Sequence, residues 1–159
     1  MFSPEMDSTF AGVLINSIQG AASSLAVEIT LARVQNETDI EEAMRVLSEN
    51  GGLISLPGNF NALHRKAIAE QAARYRVPVI SPFDFFPAAG GLMSYGTVSE
   101  DEFRNAAIYM DRIFAGANPG DLPVQMPTKF KLVINLKAAK GLGLGIPPSL
   151  LAQANEVIE

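Results

Sequence analysis

His64 is the only imidazole in the chain, and there is no cysteine. Those two facts bound the chemistry. A Ser–His–acid triad would have to recruit His64 from beside Arg65 and Lys66, in the middle of a basic helix face. No Gly-x-Ser-x-Gly elbow and no phosphate loop ending in Gly-Lys-Ser/Thr occurs. Thiolate nucleophiles, disulfides and most structural zinc sites are removed at once. A transition metal would rest on carboxylates alone, and no helical carboxylate cluster has the spacing. Glu41-Glu42 and Glu100-Asp101-Glu102 fall in the first turns of predicted helices, where negative charge complements the dipole. Gly141-Leu142-Gly143-Leu144-Gly145 only superficially matches a dinucleotide loop: its glycines end a helix and are followed by Pro147-Pro148, so it reads as a helix stop. Neither catalysis nor a cofactor is expected.

What remains is recognition chemistry. Asn59 offers a donor and an acceptor, and Phe60, Phe83, Phe85, Phe86 and Tyr95 offer apolar faces. In core positions such aromatic residues are packing. In loops just past buried strands they are open to a ligand.

The elements that must position them are two short apolar runs, Leu53 to Leu56 and Val77 to Ile80, with a helix-spaced segment between. Each run stops in a turn, Pro57-Gly58-Asn59 after the first and Ser81-Pro82-Phe83 after the second. Apolar runs alternating with helical patterns predict βαβ units with parallel strands buried on both faces. Ligands of such sheets sit beyond the carboxyl ends of the strands.

Composition agrees with a folded single domain covering 1–159. The chain is 48% hydrophobic and 18% charged, and its net charge of −5 with scattered Lys and Arg argues against nucleic acid. Ser8 to Val27 is uncharged but carries Ser, Thr, Asn, Gln and Gly, too polar for a membrane span. Glu5 and Asp7 stand where an export signal needs basic residues. On its own sequence the chain is expected to be soluble, without an export signal, and cytoplasmic if expressed as given.

In chain order, Met1-Phe2-Ser3-Pro4 reads as the last residues of a strand. Phe10, Val13, Leu14, Ser17 and Ala21 share one face of a helix, and Val27 to Val34 alternates as a half-buried strand. Thr38-x-x-Glu41 and Ser99-x-x-Glu102 are predicted capping boxes. The second opens a helix expected to bury Phe103, Ala106, Ala107, Met110 and Phe114. One helix is predicted from about Asn61 to Tyr75, with Leu63, Ala67, Ile68 and Ala72 inward. Leu92 to Tyr95 is a further short run, and Phe130 to Asn135 a final strand whose Asn135 caps the next helix. A last helix is predicted from Ser149 to about Val157. The order is mainly βαβα, hence an α/β three-layer sandwich with a mainly parallel sheet.

L-P-G-N-F, V-P-V-I-S-P, G-G-L-M-S-Y-G and the terminal run V-I-N-L-K-A-A-K-G-L-G-L-G-I-P-P-S-L-L together resemble one bacterial family. It is the ABC-transporter substrate-binding proteins whose members include aromatic amino-acid binders. The resemblance implies one lobe of a type I periplasmic binding protein, and it is to the C-terminal half only. Residues 97–127 would then be a crossing segment that packs on the other lobe or on a partner chain. By the same resemblance the ligand-facing positions are Ser3, Pro4, Gly58, Asn59, Phe60, Pro82, Phe83, Ser94 and Tyr95. The family commonly has Asn in place of Ser3, and many relatives have Asp in place of Gly58.

The implied function is solute binding for an ABC uptake system in the periplasm, for a small molecule of amino-acid type, with no cofactor. The permease would be a partner only of a full-length protein. With one wall of a two-lobed clamp, ligand binding is expected to be weak or lost, and the exposed inter-lobe face predicts a homodimer. The alternative is a ligand-free dimerisation or interaction domain derived from such a binder. An enzyme on a flavodoxin-like sheet is a third class, opposed by the missing nucleophile–base pair.

Overall fold

Leu53–Ile54 (β1) and Val79–Ser81 (β2) pair in parallel, Leu53 opposite Val79, and β2 pairs in parallel with Met93–Thr97 (β3). This is the arrangement that the apolar runs predict. A computed structural model describes residues 9–48 and 51–159 of the chain. Met1 to Pro4, and with them the candidates Ser3 and Pro4, lie outside the described residues.

Phe130–Asn135 (β4) runs antiparallel to β3, with Tyr95 opposite Leu132, and Glu156–Ile158 (β5) is parallel to β4. The sheet order is β1-β2-β3-β4-β5. Three of its four pairings are parallel, so the α/β fold with a mainly parallel sheet is as expected.

Helices cover both faces. Thr9–Ser24 (α1) packs Ala11, Leu14, Ile15 and Ile18 against Leu56. Leu53, three residues earlier, points the other way. It joins Val79 and Val77 in the main core with Ile40 and Met44 of α2 (Glu37–Leu47), Ile68 and Ala72 of α4 (Arg65–Tyr75), and Phe86. α2 and α4 are tied at their surface as well. The Tyr75 hydroxyl and the Arg74 guanidinium both donate to Glu41 Oε1, at 2.7 and 3.0 Å. The hydrogen bond to Glu41, followed by burial, pushes the Tyr75 phenol above its usual range.

Several local expectations are corrected. The helix expected from Asn61 to Tyr75 is two helices, α3 (Asn59–Leu63) and α4, broken at His64 with ψ near 15°. Both the backbone N–H and the ring Nδ1 of His64 meet the Phe60 carbonyl at 2.9 Å, and Arg65 donates to the Ala62 carbonyl. Side chains thus take carbonyls that a continuous helix would use. Leu63 accordingly faces solvent rather than core.

The capping box of α2 is Asn36 with Asp39, two residues before Thr38 and Glu41. Ser99 is not a cap: Val98 holds that position before α6 (Ser99–Phe114). No residue of α6 is buried, which overturns the expectation that Phe103, Ala106, Ala107, Met110 and Phe114 are core. Among the described residues, Val27 to Val34 shows no strand beyond a single bridge position at Arg33. The helix expected from Ser149 to Val157 is only α8 (Pro148–Leu151), followed by β5.

The expectations for Asn135 and Gly143 hold. Asn135 Oδ1 accepts the Ala138 N–H at 2.9 Å and caps α7 (Leu136–Leu142), which Gly143 ends at φ +73°. Among the described residues no helix is long and apolar enough to cross a membrane.

Candidate functional site

β1, β2 and β3 are mutually parallel, so their carboxyl ends share one rim. The turn after β1 holds Gly58, which precedes α3, and Asn59 and Phe60, which begin it. Its position is fixed from beneath by Asn61, a buried side chain whose Nδ2 donates to the Leu56 carbonyl at 2.8 Å. Asn59 is exposed, and Phe60 is half-buried with its ring stacked on His64 at 4.0 Å.

The turn after β2 is shaped by Ser81. Its buried Oγ accepts the Phe83 N–H at 3.2 Å, folding Pro82 and Phe83 over the strand end. Phe83 stacks on Phe85 at 5.0 Å, and the Arg65 guanidinium lies 5.4 Å from the Phe85 ring centre. Phe85 begins the short helix α5 (Phe85–Ala88). Phe86, adjacent to it, turns inward and is core.

β3 reaches the same rim at Gly96. Tyr95 is half exposed and stacks on Phe130 of β4 at 5.7 Å, making a two-ring platform beside the turns. Ser94 is fully enclosed in the sheet, opposite Ser81 and Val133, so it stands behind the rim rather than on it.

Asn59, Phe60, Pro82, Phe83 and Tyr95 are therefore brought to one edge, with Gly58 between them. Residue reading missed the parts that hold this edge: Asn61, Ser81, Gly96 and the stacking partner Phe130. Only the last had a sequence signal, as an aromatic residue opening the strand it was assigned to.

Apart from Arg65, a second group of charges, on β4, β5 and the turn after β2, is held in ion pairs. Lys131 bonds Glu156 at 2.8 Å and lies 3.7 Å from Asp84; the Glu156 hydrogen bond holds the ammonium above its usual range. Among the described residues no group of three or more His, Asp or Glu is placed to hold a metal.

A mainly parallel sheet between helix layers, with polar and aromatic turns at the strand ends, defines the fold of one lobe of a type I periplasmic binding protein. The chain belongs to the ABC transporter substrate binding protein family, whose model matches residues 1–158. That match corrects the expectation of a resemblance to the C-terminal half only, because the family likeness runs over nearly the full chain.

A conserved domain protein from Vibrio cholerae has a similar structure, with a TM-score of 0.83 and 26% identity over 92% of this chain and 50% of that one. The L-Trp complex of an ABC domain from Streptococcus pneumonia gives 0.79 and 23%, over 93% and 52%. The ligand-free, open form of a substrate-binding protein with adhesive properties from Clostridium difficile gives 0.71 and 16%, over 100% and 52%. The chain spans about half the length of each of these structures. Among curated proteins none matches it. The matched family is one of substrate-binding proteins.

Proposed function

We propose that the protein binds a small solute of amino-acid type at the rim formed by Asn59, Phe60, Phe83 and Tyr95, and serves an ABC uptake system. Delivery of three parallel strand ends to one edge is the observation that carries this reading. The Tyr95–Phe130 pair and the Phe83–Phe85 pair offer apolar faces to a side chain. Asn59 offers hydrogen bonds to polar groups. The L-Trp held by the Streptococcus relative supports an aromatic amino acid as the first solute to try.

In this reading the protein works outside the cytoplasmic membrane and meets a permease as part of a complete two-walled binder. The 97–127 segment, with α6, packs on the second wall or on another chain. Calorimetric titration with L-tryptophan, L-phenylalanine and L-leucine tests the proposal. Heat of binding is expected from at least one, reduced roughly tenfold or more in affinity by Tyr95→Ala. No heat from any of them rejects retained solute binding by this chain at the rim.

One observation favours a second reading, a dimerisation domain without ligand. Phe103 and Phe114 of α6 are 78% and 82% exposed, and Met126 beyond it is also bare. Apolar surface of that extent marks an interface.

A further inference from the structure

Among the described residues, Arg65 and Lys131 are the two cationic side chains that are partly buried; the other lysines and arginines are exposed. Lys131 has carboxylates to answer its charge, Glu156 at 2.8 Å and Asp84 at 3.7 Å. Arg65 has none. Its Nη1 donates to the Ala62 carbonyl at 2.9 Å, and its guanidinium lies 5.4 Å from the centre of the Phe85 ring. Neither contact neutralises it, and among the described residues no carboxylate stands within ion-pair distance of it.

The fold puts this cation at the rim. The break at His64 starts α4 at Arg65, just after the turn that carries Asn59 and Phe60, and Phe85 opens the short helix beyond the β2 turn. Phe83 stacks on the same Phe85 ring at 5.0 Å. A positive charge and the flat apolar faces of the rim thus meet on one ring. A guanidinium carries five N–H donors in a rigid fork, and Ala62 takes up only one nitrogen. The ring contact holds the fork in place without consuming its donors. What such a fork matches is a carboxylate, taken through two parallel hydrogen bonds.

We infer that Arg65 is a specificity-determining residue: it holds the carboxylate of a solute whose flat apolar group lies against the Phe83–Phe85 pair. This rests on the rim reading above and adds a required chemical class to it. The solute is an aromatic carboxylate, and an aromatic amine or alcohol of the same shape is refused. A purely structural role, bracing the break between α3 and α4 through Ala62, would need one donor and no positive charge. Lysine at this position keeps the charge and loses the fork.

Calorimetry with L-tryptophan and with tryptamine, which lacks the carboxylate, tests this on the wild type, Arg65→Lys and Arg65→Gln. The ratio of L-tryptophan to tryptamine affinity is expected to fall about tenfold or more in Arg65→Gln, and by less in Arg65→Lys. An unchanged ratio, with both affinities falling together through damage to the helix break, overturns the inference. A second measurement needs no amino acid to bind. The Nε–Hε NMR signal of Arg65, assigned by its loss in Arg65→Gln, is followed during titration with indole-3-propionate and with tryptamine. It is expected to shift with the carboxylate and to stay in place with the amine. No shift, or an equal shift with both, overturns the inference. A shift with indole-3-propionate beside no heat from any amino acid would reject the amino-acid reading of the rim and leave the Arg65 assignment standing. Heat from L-tryptophan with the Arg65 signal unmoved would do the reverse.

Discussion

The carbonyl oxygen of Pro82 occupies the place where a Cβ on Gly96 would project. Two strand ends, β2 and β3, are thereby drawn together at the rim with no side chain between them. The obstacle is backbone rather than a movable side chain, so Gly96→Ala must separate the strands. It is expected to lower the unfolding free energy by about 1–3 kcal/mol in urea titration. An unchanged midpoint would show that the rim has room to spare.

Asn135 is buried and makes two bonds, donating from Nδ2 to the Pro87 carbonyl at 2.9 Å and accepting from the Ala138 N–H. Asn135→Ala strips a donor from a buried carbonyl and a cap from α7. The expected loss is about 2–4 kcal/mol by urea unfolding. A loss below about 1 kcal/mol would mean that neither bond is needed.

Asp101 binds Lys129 at 2.6 Å and Arg104 at 2.7 Å, joining α6 to the residue before β4. The hydrogen bond to Lys129 is the chief reason its carboxyl sits below the usual range. The folded state thus holds this proton less tightly than the unfolded chain does. The stability it contributes is complete above about pH 4, the unfolded value, and disappears as pH falls through the lower folded value. Wild type and Asp101→Asn should therefore differ in urea midpoint at pH 7 and converge in acid. A gap that persists below pH 2 would assign the effect to something other than this charge.

The bare apolar face of α6 predicts association. In sedimentation at micromolar concentration the protein is expected to run as a homodimer, and Phe103→Glu with Phe114→Glu as a monomer. A wild-type monomer would remove the dimer and leave the face to a different partner.

Much of this architecture was legible from residue types. β1 and β2 arise from the two apolar runs, β2 ending at Ser81 just before Pro82 but β1 already at Ile54; β4 was read at its observed bounds, and Gly143 stops α7 as its sequence context implies. What escaped was decided by contacts that spacing does not encode. Glu156-Val157-Ile158 is too short to show a period, and becomes a strand because Asn155 docks on Leu132. The break at His64 comes from side chains bonding to carbonyls one turn back. Thr38-x-x-Glu41 satisfies the capping pattern, yet Asn36-x-x-Asp39 satisfies it too and wins. In α6 the apolar stripe is real, but periodicity cannot say which surface it meets.

For the rim, the sequence supplied the exposed participants and not their supports. Asn59, Phe83 and Tyr95 stand out as polar or aromatic residues at or near the rim. Asn61 and Ser81 look like ordinary polar residues until their buried bonds to Leu56 and Phe83 are seen.

The Asn155 clamp has a practical corollary. Its side chain accepts the Leu132 N–H at 2.8 Å while its own N–H donates to the Leu132 carbonyl at 2.9 Å, fastening a three-residue ribbon over the buried flank of β4. A premature stop before Asn155 would unveil that flank as a sticky hem, inviting neighbouring molecules to stitch themselves on. Expression plasmids should keep the final five residues, and any purification handle placed there needs slack before it.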